Sequence, residues 1–235
     1  MRISVVIPTL NEGRYIENTL FHVSQQKPYE IIVADSRSTD ATRAIARQYK
    51  ARVVDAPRGS VSLGRNAGGH AARGDVILFL DADTIAFPTL IETIKNDFAG
   101  HDDMVGWTCV VNAFSHRWRD HMIYNIFNAL TEFLITHAKK PHAAGAAIAV
   151  KKETFETVGG FDERLAVVED HDFALRLARH GTFHFSKDTC VFTSTRRLKE
   201  WSITGFIRQY SKHYFEYMFN RDGLRKKNVV YSPVR

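Results

Sequence analysis

Two carboxylates, Asp81 and Asp83, follow directly on the apolar run Val76-Ile77-Leu78-Phe79-Leu80. Such a run reads as a buried parallel strand, and the i, i+2 spacing sends both side chains from one edge at its carboxyl end. Open α/β sheets bind their ligands there. Adjacent acids repel unless a cation lies beside them. Oxygen-only ligands suit magnesium or manganese, which take one or two carboxylates and leave other positions to water and phosphate. The same residues also fit a plain strand-end turn, with Asp81 capping backbone amides and Asp83 capping the next helix. A second acidic pair, Glu169-Asp170, heads a segment carrying Phe173, Leu175, Leu177 and Ala178. Carboxylates in a first helical turn are favoured by the helix dipole whether or not they do chemistry.

The elements that must position these groups alternate in type. Ile3-Ser4-Val5-Val6-Ile7 is strand-like and halts at Pro8, after which Asn11 is expected to cap a helix with Ile16, Leu20 and Val23 at helical spacing. Ile31 to Ala34 gives a second strand, Ser38-Thr39-Asp40 a cap for a second helix, and Arg52-Val53-Val54 a third short strand. The glycines between Gly59 and Gly74 fit a helix packed close on the sheet, since neither GxxxxGK[ST] nor a GxGxxG after the first strand is present. Pro88 marks the start of a helix with Leu90, Ile91, Ile94 and Phe98. This alternation implies a parallel, right-handed, doubly wound sheet. Beyond Met104 the character changes. Val105 to Phe114 reads as a long strand, Ala143 to Val150 as another, and Trp118 to His137 as a helix that either buries its apolar side in the core, the favoured expectation, or offers it to a lipid or bilayer surface.

With 235 residues and 44% hydrophobic content the chain can bury a sizeable core, and disorder is not the default. Apolar runs stop short of the roughly 18 residues a membrane span needs, and the start lacks a signal peptide's shape, so a cytoplasmic, non-spanning protein is expected. Cys109 and Cys190 lie far apart without CxxC spacing and read as small core residues. The net charge of +6 is uneven: ten Lys and Arg residues from Arg196 onward face only Glu200, Glu216 and Asp222, which suits an anionic partner.

Five stretches in order, IPTLNE, VADSRSTD, GRNAG, DAD and GGFDERL…EDHDFALRLARHG, together resemble glycosyltransferase family 2. The resemblance covers roughly residues 1 to 200. It implies a GT-A fold, a Rossmann-like, doubly wound, mostly parallel sheet with a small acceptor-side subregion. Residues 1–100 would form the nucleotide-binding half, 101–200 the acceptor half, and 201–235 a basic, aromatic-rich helical tail.

The resemblance assigns Pro8, Thr9, Glu12 and Asp35 to the donor's base and ribose, and Arg65 to its base or phosphates. Asp81 would lie near the ribose or a metal-bound water and Asp83 on a Mn2+ or Mg2+ that bridges the diphosphate. Asp170 matches the catalytic base, with Glu169 and His171 on the acceptor side. Arg196 and Arg197, in TSTRR, suit gripping the diphosphate and equally suit a basic surface loop. His184 is a weaker candidate for a further metal ligand. Arg37 departs from the family's commoner Gly and puts bulk and charge at the rim of the nucleotide pocket.

The implied reaction moves a sugar from a nucleotide-diphospho-sugar, such as a UDP- or GDP-sugar, to a hydroxyl of a glycan or lipid-linked acceptor, with inversion. If the acceptor is a polyprenyl phosphate, it arrives ionised and Asp170 has no proton to take. A non-catalytic nucleotide-sugar binding protein on the same fold would show saturable binding and no turnover. Nucleic acid is not the expected partner. The tail from Trp201 to Phe219, with Arg225-Lys226-Lys227 behind it, fits peripheral contact with the cytoplasmic membrane face or packing back on the domain.

Overall fold

The computed structural model describes residues 1–165, 167–196, 198, 203–220 and 222. Arg197, Trp201 and Arg225-Lys226-Lys227 lie outside the described residues. The chain begins β1 (Ile3–Thr9), α1 (Ile16–Ser24), β2 (Glu30–Asp35), α2 (Thr42–Gln48), β3 (Arg52–Asp55), α3 (Val61–Ala71) and β4 (Val76–Leu80). It continues β5 (Thr84–Ala86), α4 (Leu90–Gly100), β6 (Met104–Phe114), α5 (Trp118–Thr136) and β7 (Ala147–Lys151). It ends α6 (Lys152–Thr157), α7 (Glu169–Leu177), β8 (Thr182–Ser194) and α8 (Ile203–Phe219).

The strands form one eight-stranded sheet in the order β3-β2-β1-β4-β7-β6-β8-β5. The first four pair in parallel, as the alternation implies. The continuation is mixed, because β7 runs antiparallel to both β4 and β6, and β5 antiparallel to β8. β6 and β8 are parallel again. The doubly wound, mostly parallel expectation holds, with every antiparallel pair made by β7 or β5.

Every residue of β1 and β4 is buried, as expected of central strands covered on both faces. Alternate side chains serve opposite cores. Ile3, Val5, Ile7, Val76, Leu78 and Leu80 meet Ile16 and Leu20 of α1 on one face, and Val6, Ile77 and Phe79 face Phe155, Phe161 and Phe173 on the other. Phe161 meets the Phe79 ring edge-on at 5.1 Å and stacks on Phe173 at 4.0 Å. That aromatic cluster holds α7 under β4 and so brings Asp170 toward Asp81.

The small-residue helix behaves as expected. A Cβ at Gly68 would enter Val6, and one at Gly69 would enter the Phe155 ring, so α3 lies closer to the sheet than a larger residue permits. Other expectations are corrected. Asn11 does not cap α1; it takes a left-handed φ of +56° and its Oδ1 accepts the Thr39 amide at 2.8 Å. The strand expected from Ala143 begins at Ala147, because residues 143 to 146 turn toward α7. Cys109 is buried, whereas Cys190 is only partly so.

Helix α5 reverses the favoured expectation. Its buried residues are Asp120, Asn128, Thr131 and Ile135, while Trp118, Met122, Ile126, Leu130 and Phe133 are exposed. The polar side faces inward because backbone needs it there: Asn128 Nδ2 donates to Val111 O at 2.9 Å and its Oδ1 accepts Val111 N at 3.0 Å.

Candidate active site

The site is built at the carboxyl ends of β1, β2 and β4. Thr9 and Asp35 end neighbouring parallel strands in register, and Thr9 Oγ1 donates to Asp35 Oδ2 at 3.1 Å. Ser38 N donates to Asp35 Oδ1 at 3.0 Å, the turn expected after β2. Pro8 abuts Gly64 of α3, where a Cβ would stand 3.1 Å from the Pro8 Cβ. Asp40 accepts the Thr42 amide at 3.0 Å and the Gly13 amide at 2.8 Å, so the loops after β1 and β2 are laced together. Arg37 stands in this lacework at φ +62°. That conformation explains why glycine suits the position.

One guanidinium joins the end of β4 to the head of α7. Arg65 of α3, almost wholly buried, donates from Nη1 to Glu169 Oε1 at 2.8 Å. Its Nη2 donates to Asp81 Oδ1 at 3.0 Å and to Gly145 O at 3.2 Å. The charge also lies 5.2 Å from the Phe161 ring centroid. Burial works against the Arg65 charge, but Asp81, Glu169 and Asp170 outweigh it and hold the guanidinium above its ordinary range. Asn66, the next residue, clamps the loop beneath: Nδ2 donates to Phe161 O at 2.9 Å and to Glu163 at 2.9 Å, and Oδ1 accepts Phe161 N at 2.8 Å.

A second guanidinium sits on Asp83. Arg196 Nε lies 3.1 Å from Asp83 Oδ2, and its two terminal nitrogens each donate to Glu12 at 2.9 Å. Tyr15 covers it at 4.9 Å. Both acids of the DAD turn thus face arginines. No group of three or more His, Cys, Asp or Glu among the described residues forms a ready-made metal cage. A hard cation shared between one carboxylate and a diphosphate needs no such cage. Asp83, whose side chain is 11% exposed, offers one such carboxylate, and a cation there would displace the Arg196 guanidinium that pairs with it.

Asp170 stands in the first turn of α7. Its Oδ2 accepts Gly145 N at 2.9 Å and its Oδ1 accepts His171 N at 2.8 Å. Burial raises its proton affinity and Asp81 adds to that, against the opposing pull of Arg65 and the two amides; the net displacement is upward. Glu169 is also raised, by burial and then by Asp170. The residue before them, Val168, takes φ +55°, a strained conformation for a β-branched side chain that turns the chain sharply into α7.

The His171 ring meets a second histidine. Its Nδ1 lies 2.9 Å from His142 Nδ1, and Tyr214 and Tyr217 of α8 pack on its ring. Burial lowers His142 to about 4, and burial and then His142 lower His171 to about 3. Both are neutral at pH 7, one donating to the other. Tyr217 Oη donates to Asp172 Oδ1 at 2.9 Å, so α8 packs back on the domain. His184 is not brought to the site; it stacks on His101 at 5.6 Å near Asp97.

The structure therefore gathers Pro8, Thr9, Glu12, Asp35, Arg65, Asp81, Asp83, Glu169, Asp170 and Arg196 around the ends of the central strands. Sequence reasoning missed His142 and Gly145, whose loop carries no motif. It also missed the pairing of Glu12 with Arg196, residues 184 positions apart.

The family model described as "Glycosyl transferase family 2" matches residues 4–159, more than half of the chain. An O-antigen chain rhamnosyltransferase of Salmonella anatum is 28% identical over 229 residues, covering 91% of this chain and 70% of the relative. An uncharacterized glycosyltransferase of Haemophilus influenzae is 26% identical over 77% of this chain, which spans 63% of that relative's length. Staphylococcus aureus TarS superposes with a TM-score of 0.69 at 19% identity, over 83% of this chain and 37% of TarS. The Pyrobaculum calidifontis mannosyltransferase PcManGT, solved in complex with GDP-Man and Mn2+, gives 0.63 at 22% identity, over 81% of this chain and 56% of its own. With the mixed sheet and its carboxylate-lined carboxyl edge, these matches fix the fold as GT-A, and the chain belongs to glycosyltransferase family 2.

Proposed function

We propose that this chain transfers a sugar from a nucleoside diphosphate donor to an acceptor hydroxyl with inversion at the anomeric carbon. The observation that carries this reading is the bridge made by Arg65 between Asp81, at the end of β4, and Glu169, beside Asp170 on α7. One buried cation thereby sets the donor-side acid and the acceptor-side acids into a single constellation. Thr9 and Asp35 would seat the base and ribose, with Asp35 offering a carboxylate to a base N–H. Asp83 would hold the divalent metal, which supplies Lewis-acid stabilisation of charge on the departing diphosphate. Arg196, released from Asp83 and Glu12, is placed to add a guanidinium to the phosphate oxygens. Asp170 takes the proton of the acceptor hydroxyl. Its raised proton affinity makes it a stronger base, and its two amide partners keep it oriented. Residues 1–200 act as the catalytic domain and 201–235 as its tail.

The complexes of PcManGT with GDP-Man and of TarS with UDP-GlcNAc support a nucleotide-sugar donor for this chain, and the Mn2+ in PcManGT supports a divalent ion. The test is a thermal-shift screen of UDP-, GDP- and dTDP-sugars with and without Mn2+ or Mg2+, followed by turnover. A metal-dependent rise in Tm with one donor class, and transfer to an acceptor, is expected. Saturable binding without turnover would make the chain a binding protein, and no shift with any donor would end the proposal.

A further inference from the structure

The outer face of α5 has a composition opposite to that of an ordinary surface helix. Trp118, Met122, Ile126 and Leu130 recur every fourth residue and are 68%, 44%, 62% and 52% exposed, joined by Phe133 at 56%. Phe114, where β6 ends, adds another 62%-exposed ring. Apolar residues at this spacing form one continuous stripe, and a stripe of that size marks a contact surface.

The charge around the stripe selects the partner. Arg117 and Arg119 stand exposed at the helix start, and Lys139 and Lys140 just past its end. The helix's own acids are engaged elsewhere. Asp120 is buried and accepts Ser115 Oγ at 2.5 Å, and Glu132 pairs with Lys187 at 2.5 Å. An apolar band with cations at both ends and its carboxylates occupied matches an anionic bilayer surface, with acyl chains meeting the band and headgroups the cations. The inward side, pinned to Val111 by Asn128, fixes the helix flat against the domain. No helix among the described residues is long and apolar enough to cross a membrane, so the contact lies along the interface.

We infer that α5 is a membrane-docking helix that seats this protein on an anionic lipid surface, with Trp118, Met122, Ile126, Leu130 and Phe133 in the interface. The inference stands independently of the donor and reaction, since docking requires neither. It places the seat on the domain itself, in addition to any contact made by the C-terminal tail. Phe127 of α5 packs on His142 at 5.3 Å, and that loop reaches Asp170 through Gly145. The seat and the acceptor side are thus adjacent.

The test is flotation of the full chain with phosphatidylcholine vesicles and with mixed phosphatidylcholine and phosphatidylglycerol vesicles. Binding is expected to the anionic vesicles and to weaken with salt. Ile126→Glu with Phe133→Glu alters only exposed side chains, and an unchanged Tm confirms that the variant folds. It should lower the bound fraction at least about tenfold. Phe215→Glu with Phe219→Glu, on α8, should leave most binding intact. Absence of vesicle binding overturns the inference, as does binding lost with the α8 variant and kept with the α5 variant. A concentration-dependent dimer that the α5 variant abolishes, without vesicle binding, would assign the stripe to a second copy instead.

Discussion

The loops after β1 and β2 and the head of α7 hold their acids in different ways. Asp35 is held by the amide of Ser38, three residues on, and Asp40 by Thr42, two residues on. Glu169 depends on Arg65, 104 residues away, whereas Asp170 holds both the adjacent His171 amide and Gly145, 25 away, and Asp172 both Arg176 and Tyr217, 45 away. Local turns order the first set as soon as the flanking strands pair. The second set also draws on partners far along the chain, Arg65 and Tyr217 among them. Asp35 and Asp40 each keep a local hold that Glu169 lacks, while Glu12, on the loop after β1, depends on Arg196, 184 residues away.

Several measurements would break or sharpen this contrast. The largest effect is expected from Asp170→Asn, which should cut kcat by about a thousandfold or more while donor affinity stays within a few fold. Strong residual turnover would point to an acceptor that arrives ionised. Arg65→Met leaves the buried Glu169 and the half-buried Asp81 without their cation, and chemical denaturation should report a loss of about 3 kcal/mol. A cost near zero would mean that the end of β4 and the head of α7 are not coupled through this residue. Arg196→Ala removes the charge-assisted bonds to Glu12 and the contact with Asp83, for about 1–3 kcal/mol. Because it unmasks Asp83, Mn2+ binding measured without donor should tighten, and unchanged affinity would count against Asp83 as the ligand.

The histidine pair sharpens the contrast through pH. Folding depresses His142 to about 4 and His171 to about 3. Their contribution to stability is present above the ordinary value of 6.5 and is lost as pH falls toward those depressed values. Proton NMR should show neither imidazole charging between pH 7 and pH 5, whereas a midpoint near 6.5 in either would show that the loop carrying Gly145 is open. The smallest effect belongs to the donor side. Arg37→Gly relieves the left-handed φ of +62° and should stabilise by about 1 kcal/mol, read as a raised Tm.

Legibility in the sequence divides along the same line. β1, β2, β3 and β4 announce themselves as apolar runs ended by turn residues, and the acids at their ends sit where parallel strands must place them. β8 is not legible, because Lys187, Asp188 and Thr189 bulge between the pairs Cys109–Ser186 and Val110–Cys190 and interrupt its alternation. β5 has only three residues and exists through its pairing with β8. The direction of α5 follows from Asn128 meeting the backbone of Val111, a contact that no helical periodicity records. His142 lies in an unpatterned loop and gains its meaning only from His171. The motifs located Asp81, Asp83, Asp170 and Arg65; that Arg65 binds Asp81 to Glu169 came from the fold.

Arg65 has a thermodynamic consequence beyond architecture. Asp81, Glu169 and Asp170 share one positive charge, so the proton occupancy of the acceptor-side acids is linked to whatever binds at Asp81. Donor affinity should then vary with pH, and binding should move protons to or from solvent. Calorimetry in buffers of different ionisation enthalpy would count them. By reciprocity, a donor bound at Asp81 would tune the proposed base, Asp170, before any acceptor hydroxyl arrives to give up its proton.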